Sequence, residues 1–149
     1  PNSSHEREGV PREKTLEQIG RAFGQLARFA ADYGQEIRME MHGDFTSGAD
    51  IRRICQIADH PNARVCWNCN PADTRPPGLV ENFQQVRPYF GATLHTHDLD
   101  NPSYPCRQLA QLLVQSDYRG WILFEESRAI HDPIAELSRQ RKLWESWTA

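Results

Sequence analysis

The sequence predicts an α/β fold made of about four βα units of a parallel (β/α) barrel, preceded by one helix. Strand-like runs alternate with helical patterns along all 149 residues, which we expect to form a single domain, 1–149. Such alternation is typical of a parallel sheet with crossover helices. A polar residue closes each strand-like run, and these residues recur roughly 30 positions apart, the length of one βα unit. Four units amount to half of an eight-stranded barrel, which builds its active site at the carboxyl ends of its strands.

The helices are indicated by apolar residues at three- and four-residue steps. The first is expected to begin after Pro11 and to end near Gly34, and Ser47 or Asp50 is suited to cap the second. In chain order the apolar stripes are Leu16, Ile19, Phe23, Leu26, Ala30 and Tyr33; Ile51, Ile54, Cys55 and Ala58; Leu79, Phe83 and Val86; Leu109, Leu112 and Leu113; and Ile134, Leu137, Leu143 and Trp144.

The strands are indicated by the runs IRMEMH, ARVCWN, GATLH and WILFE. Side chains alternate between the two faces of a strand, so each run has an apolar face for the helices and a second face for the barrel lumen. In the first run Glu40 lies opposite Met39 and Met41. In the last run Glu125 shares the inward face with Leu123. The four polar residues that close the runs are Glu40, Asn68, His95 and Glu125.

The composition, with 38 % hydrophobic and 25 % charged residues, favours a globular protein in solution. The formal net charge of −3 argues against nucleic acid or an anionic membrane as a partner, and no apolar run approaches the roughly 18 residues of a membrane span. Cys66 and Cys69 form a CxxC without a second pair, so the four cysteines indicate buried thiols in a reducing, cytoplasmic protein. Because the chain begins with Pro1 rather than Met, we expect a fragment or a processed chain.

The four residues at the strand ends form a candidate metal site. Two glutamates, a histidine and an amide oxygen are donors that divalent metals accept, and a carboxylate facing a barrel lumen needs a cation or a proton as partner. A salt bridge to an arginine on the same or the next strand is the alternative for Glu40. Asp73, in the loop after Asn68, is a substitute carboxylate or a simple turn residue.

Further polar residues flank these positions. His97 shares its strand face with His95, and Asp98 is placed to accept a hydrogen bond from one of the two rings. Trp67 can stack on a sugar ring or pack in the core. The residues expected to contact substrate are His42, Trp67, Asn70 and His97.

The segments RMEMHG, VCWNCNP, LHTHDL and YRGWILFEES resemble strand ends five to eight of the xylose isomerase-like TIM-barrel superfamily, which includes sugar (phosphate) isomerases and epimerases and AP-endonuclease-type enzymes. The resemblance covers nearly the whole chain and implies the C-terminal half of such a barrel. Glu40, His95 and Glu125 match metal ligands of the family. Asn68 falls where the family usually has an aspartate, and His97 replaces His95 as the ligand if the register shifts by two.

The resemblance also implies a mechanism and a cofactor. A divalent ion (Mn, Co, Zn or Mg) would stabilise an enediolate of a small sugar or sugar phosphate. Glu40 and Glu125 would exchange protons on the two faces of the reacting carbon. The implied enzyme is therefore a sugar isomerase or epimerase of carbohydrate metabolism.

Two other functions stay open. An AP-endonuclease-type phosphodiesterase would need more metal ligands and a basic surface for DNA, and a metal-free domain that binds a sugar or a partner would explain Asn68. A half barrel also leaves two open sheet edges, at IRMEMH and WILFE. We therefore expect poor solubility or edge-to-edge self-association unless the missing N-terminal half is supplied.

Overall fold

The fold is one helix followed by four βα units, as expected from the sequence. A computed structural model describes residues 5–148. Short 3-10 turns at Pro71–Thr74 and Arg87–Tyr89 flank the helix of the second βα unit. The helices and strands are α1 (Arg12–Ala31), β1 (Ile37–Glu40), α2 (Gly48–Ala58), β2 (Ala63–Cys66), α3 (Leu79–Val86), β3 (Thr93–Thr96), α4 (Cys106–Gln115), β4 (Trp121–Phe124) and α5 (Pro133–Thr148).

The four strands run parallel and follow one another in space as they do in the chain. β1 pairs with β2, where Glu40 lies opposite Cys66, and β3 pairs with β4, where His95 lies opposite Leu123. Between the two pairs, the backbone N–H of His95 donates to the carbonyl of Trp67 over 2.8 Å. This order, with a helix after every strand, is the arrangement of half a (β/α) barrel.

The first helix packs tightly on the second. A Cβ placed on Gly24 would lie 2.5 Å from the carbonyl oxygen of Ala58, so only glycine allows this close crossing. The expected apolar stripe of α1 is partly wrong, because Leu26 is 49 % and Tyr33 68 % exposed. The buried apolar side chains of α1 are those of Leu16, Phe23, Ala27 and Ala30.

The second helix begins with a side-chain cap that resolves the sequence alternative. The hydroxyl oxygen of Ser47 accepts a hydrogen bond from the backbone N–H of Asp50 over 3.2 Å, which satisfies a donor that the first helical turn leaves open. The carboxylate of Asp50 instead accepts from the Ser47 hydroxyl over 2.6 Å and pairs with Arg12 over 2.6 Å. Ser47 is therefore the cap, and Asp50 connects α2 to α1.

The last helix is held largely by polar contacts. Ile134 and Leu137 are 75 % and 50 % exposed, whereas the neighbouring Gln140 is 3 % exposed. The Gln140 side chain donates to Asp98 over 2.7 Å and accepts from the backbone N–H of Leu99 over 3.0 Å. Only the end of α5, around Leu143, Trp144 and Trp147, packs on the core. None of the helices among residues 5–148 has the length and apolar character to cross a lipid bilayer.

Candidate metal and active site

Three of the four residues at the strand ends converge. Glu40 is the last residue of β1, His95 lies in β3, and Glu125 follows β4 directly. Parallel strands place their carboxyl ends at one edge of the sheet, and one potential ligand atom from each of these three residues lies within 4.8 Å of the others. Across the described part of the chain, this is the one group of three or more histidine, cysteine or acidic side chains positioned to share a metal ion.

The imidazole of His95 lies between the two carboxylates. Its Nδ1 is 3.2 Å from Oε1 of Glu40 and 3.5 Å from Oε2 of Glu125. The three side chains are 28 %, 30 % and 47 % exposed, so the group is open on one side. Two carboxylates and one imidazole form a donor set that suits Mn, Co or Zn, and Mg through the carboxylates. The donor chemistry therefore fits a divalent metal ion.

Asn68 stands beside this group and turns its nitrogen toward Glu40. Its Nδ2 donates to Oε1 of Glu40 over 3.1 Å, and the side chain is 2 % exposed. Its Oδ1 is buried and has no hydrogen-bond partner within residues 5–148. Rotating the amide by half a turn would bring Oδ1 toward the carboxylate. Such a contact is favourable only with a cation or a proton between the two oxygens.

The prediction that Trp67 contacts substrate is wrong. Its side chain is fully buried, and its ring packs edge-on against Phe83 and Phe90 at centroid distances of 5.9 and 5.8 Å. The indole N–H donates to the hydroxyl of Tyr104 over 3.1 Å. Adjacent residues of an extended segment point in opposite directions. The orientation of Asn68 toward Glu40 therefore places Trp67 in the core.

Asp73 also lies in the core and is not placed as a metal ligand. It is 1 % exposed and accepts hydrogen bonds from the Tyr104 hydroxyl over 2.8 Å and from the backbone N–H of Asn70 over 2.9 Å. Burial raises the pKa of Asp73 to about 7, against these two hydrogen bonds, which lower it. The hydrogen-bonded chain from Trp67 through Tyr104 to Asp73 was not foreseen, since a tyrosine in a loop carries no sequence signal of a buried partner.

The three other residues expected to contact substrate lie in the loops around Glu40, His95 and Glu125. Asn70 donates from its side chain to the carbonyl of Met41 and so connects the loops after β1 and β2. His42 is exposed next to Glu40, and Nδ1 of His97 lies 3.2 Å from the carbonyl oxygen of Glu125. These placements leave His42, Asn70 and His97 as predictions for substrate binding.

Asp98 has a different role from the one expected of it. Its carboxylate accepts from Gln140 over 2.7 Å and also pairs with Arg139 and Arg128, at 3.3 and 3.4 Å. The hydrogen bond from Gln140, followed by Arg139, holds the pKa of Asp98 below its ordinary value. Asp98 therefore fastens α5 to the loop after β3. Its other hydrogen bonds come from Arg128 and from the backbone N–H of Asp100. The rings of His95 and His97 contact Glu40 and Glu125 instead.

A polar cavity of about 490 Å³ adjoins Glu125 between the loops that follow β3 and β4. Sequence reasoning did not identify its charged members Glu126 and Arg128, because neither lies on a strand face. The residues that line the cavity include His97, Asp98, Asp100, Asn101, Glu125, Glu126 and Arg128.

Comparison with known proteins shows the fold. No family model matches the sequence, and no curated protein matches it. The solved structure of 3-keto-D-glucoside 4-epimerase (YcjR) from E. coli aligns over 94 % of this chain with a TM-score of 0.75 and 14 % identity. That of D-allulose 3-epimerase from Methylomonas sp. aligns over 93 % with a TM-score of 0.70 and 22 % identity.

The present chain spans 57 % and 51 % of the length of those two proteins. Both are sugar epimerases by name. The fold class predicted from the sequence is therefore confirmed. The chain has the fold of about half of a TIM barrel, as found in these two epimerases.

Proposed function

We propose that this chain carries the metal-binding and proton-transfer groups of a sugar isomerase or epimerase, with β1 to β4 as strands five to eight and residues 1–149 as a single domain. The observation that carries the proposal is the convergence of Glu40, His95 and Glu125 at the carboxyl ends of three parallel strands. The likeness of the fold to two sugar epimerases supports the same class of reaction.

In this proposal Glu40, His95 and Glu125 hold a divalent ion, and Asn68 joins them after its amide rotates. The bound ion supplies positive charge that stabilises negative charge on substrate oxygens. Glu40 and Glu125 reach the group from different strands, so each can remove or return a proton on its own side of a bound carbon. Asn68 closes the buried side of the group, and the Glu40 side chain, 30 % exposed, remains accessible from the open side.

The decisive test is metal binding by the purified protein. We expect elemental analysis after dialysis to find about one Mn, Co, Zn or Mg per chain. Calorimetric titration with Mn²⁺ should show affinity lost by roughly a hundredfold in Glu125→Gln, because a direct ligand is removed. Glu145→Gln is the matched control, since Glu145 is exposed and pairs only with Arg141 among the ion pairs of the described residues.

A wild-type protein without metal affinity, or a Glu125→Gln protein that binds as tightly as the control, rejects the metal site. That result would favour the second candidate, a metal-free domain that binds a sugar or a partner. One observation favours this alternative: the neutral Asn68 amide donates to Glu40 from a position where a ligand to the ion would have to present an oxygen. The structure does not support the AP-endonuclease alternative. Such an enzyme would need more metal ligands than the single three-residue group that the described residues contain.

A further inference from the structure

The cavity beside Glu125 lies where barrel enzymes usually bind a substrate phosphate. In (β/α) barrels the phosphate site is commonly formed by the loops after the last two strands, with the N-terminus of a helix. In this chain the corresponding loops follow β3 and β4, and they enclose the cavity of about 490 Å³. The charges on these two loops therefore bear on whether a substrate can carry a phosphate group.

The cavity wall is predominantly acidic, and its one arginine is already paired with carboxylates. Four carboxylates line it, those of Asp98, Asp100, Glu125 and Glu126, against the single guanidinium of Arg128. Nε of Arg128 lies 2.9 Å from Oε2 of Glu126, and its Nη2 lies 3.4 Å from Oδ2 of Asp98. The backbone N–H of Arg128 donates to Glu126 as well, over 2.8 Å. A phosphate would have to displace these carboxylates from Arg128.

A second arginine behind the cavity is engaged in the same way. Arg139 of α5 pairs with Asp98 over 3.3 Å, with Glu136 over 2.6 Å, and also with Asp100. Its guanidinium therefore neutralises carboxylates of its own surroundings. Glu125 is set aside here, because the proposed metal ion would neutralise it. The two arginines are still outnumbered by the four carboxylates of Asp98, Asp100, Glu126 and Glu136, and this excess of negative charge repels an anion.

The backbone of these two loops offers no alternative binding site for a phosphate. The loop segments 97–105 and 125–132 contain no glycine, and the backbone amides that cradle phosphates usually come from glycine-rich turns. The N-terminus of α5 is occupied by a carboxylate, because Oδ1 of Asp132 accepts from the backbone N–H of Ala135 over 3.0 Å. The first residue of α5 is Pro133, which has no N–H to donate.

We propose that the site takes an uncharged sugar and excludes sugar phosphates. This inference rests on the proposed function and names its substrate class. Sugar hydroxyls are donors, and the carboxylate oxygens of Asp100 and Glu126 are acceptors at the cavity wall. A free sugar would therefore add hydrogen bonds to the cavity where a phosphate would add repulsion.

The first experiment compares D-fructose with D-fructose 6-phosphate. Each is incubated in D₂O with the Mn²⁺-supplemented protein, and deuterium incorporation into the sugar is measured by mass spectrometry. We expect exchange into D-fructose and about a hundredfold less into its phosphate, since unfavourable like-charge contacts cost several kcal/mol. Faster exchange into the phosphate would overturn this inference while leaving the proposed function intact.

The second experiment does not depend on activity. Inorganic phosphate is titrated into the metal-free protein, and the side-chain Nε–H signal of Arg128 is followed by NMR. We expect no saturable shift in the wild-type protein. Glu126→Gln removes the closer of the two carboxylates that pair with Arg128. In this variant phosphate binding should strengthen by about tenfold or more, the effect of one charge-assisted hydrogen bond. Glu145→Gln, which changes the net charge equally at a distant exposed pair, should behave as wild type.

Two results of the titration would overturn the inference. One is saturable phosphate binding to the wild-type protein at Arg128. The other is a Glu126→Gln protein whose phosphate affinity does not exceed that of the control. The ion pair between Arg128 and Glu126 would then not be the reason why phosphate is excluded. If neither sugar exchanges deuterium, the proposed function fails, and the titration still decides whether the cavity excludes phosphate.

Discussion

The side-chain Nδ2 of Asn68 donates a hydrogen bond to Oε1 of Glu40 over 3.1 Å, and the same oxygen lies 3.2 Å from Nδ1 of His95. Glu40 is thus contacted by one side chain from the segment after β2 and by one from β3. The amide at position 68 neutralises no charge, but it gives Glu40 a donor when no cation is present. This arrangement stabilises the metal-free group, and it lowers the charge available to a metal by one unit compared with an aspartate at the same position.

Replacing Asn68 with aspartate should exchange stability for metal affinity. The new carboxylate would lie against Glu40 in a buried position without its donor, so we expect the free energy of unfolding of the metal-free protein to fall by about 1–3 kcal/mol. The affinity for Mn²⁺ should rise by about tenfold or more, because a charged ligand replaces a neutral one. Urea unfolding and calorimetric titration measure the two effects. Asn62→Asp, at the other end of β2, is the control. An unchanged affinity would remove Asn68 from the metal site.

Asp73 should make the stability of the protein depend on pH. Its pKa is raised to about 7 by burial, above the ordinary value of 3.8. The folded state therefore favours the protonated carboxyl, and this contribution is complete below about pH 4 and lost as pH rises through 7. We expect Asp73→Asn, which retains an acceptor for Tyr104 and cannot ionise, to gain about 2–4 kcal/mol relative to wild type between pH 4 and pH 8.

Urea midpoints of wild type and Asp73→Asn, measured across this pH range, check the prediction. The variant removes a single titrating group, so the difference between the two proteins isolates Asp73 from other groups that titrate in the same range. Tyr104→Phe is a second comparison, because it deletes the hydroxyl that donates to Asp73 and should increase the pH dependence. A stability difference that stays constant from pH 4 to pH 8 would contradict the prediction.

Asp98 should control the attachment of the last helix. Its carboxylate accepts a hydrogen bond from Gln140 of α5 and pairs with Arg139 of α5 and with Arg128 of the preceding loop. The first half of α5 has few apolar contacts that could hold it instead. We expect Asp98→Asn to speed amide hydrogen exchange in α5 by about tenfold or more, the loss of one hydrogen bond to a charged group. Exchange in α1 and α2 should not change. Equal acceleration in all helices would mean that Asp98 supports the whole fold and not this attachment.

The sequence was sufficient to predict which residues lie at the strand ends, because hydrophobic periodicity and the spacing of the βα units determine which residues share an edge of the sheet. Glu40, His95 and Glu125 could be grouped in this way, since each lies within one residue of the carboxyl end of its strand. Trp67 could have been excluded by the same alternation, because it precedes Asn68 and must point away from it. The contact between Asp98 and Gln140 had no such signal. It joins a loop to a helix across α4 and β4, and no local pattern specifies such a pair.

The exposed face of β4 should drive association of this chain. Trp121 and Leu123 are 74 % and 42 % exposed and lie on the strand face that they share with Glu125. An apolar cavity of about 470 Å³ lies alongside, between β4 and α5. Exposed apolar surface next to an open strand edge favours pairing with another chain. We therefore expect light scattering to detect dimers or larger species at high concentration.

Substitutions on β4 distinguish pairing at this strand edge from nonspecific association through exposed apolar surface. Trp121→Lys should raise the monomer fraction, because it places a charge on the exposed face of the edge strand. Ile134→Lys is the control, since Ile134 is 75 % exposed on α5 and away from the strand edge. Equal effects of the two variants would attribute association to exposed apolar surface in general. A wild-type chain that stays monomeric at high concentration would show that the open edge is protected by the fold itself, and the expectation of edge pairing would be wrong.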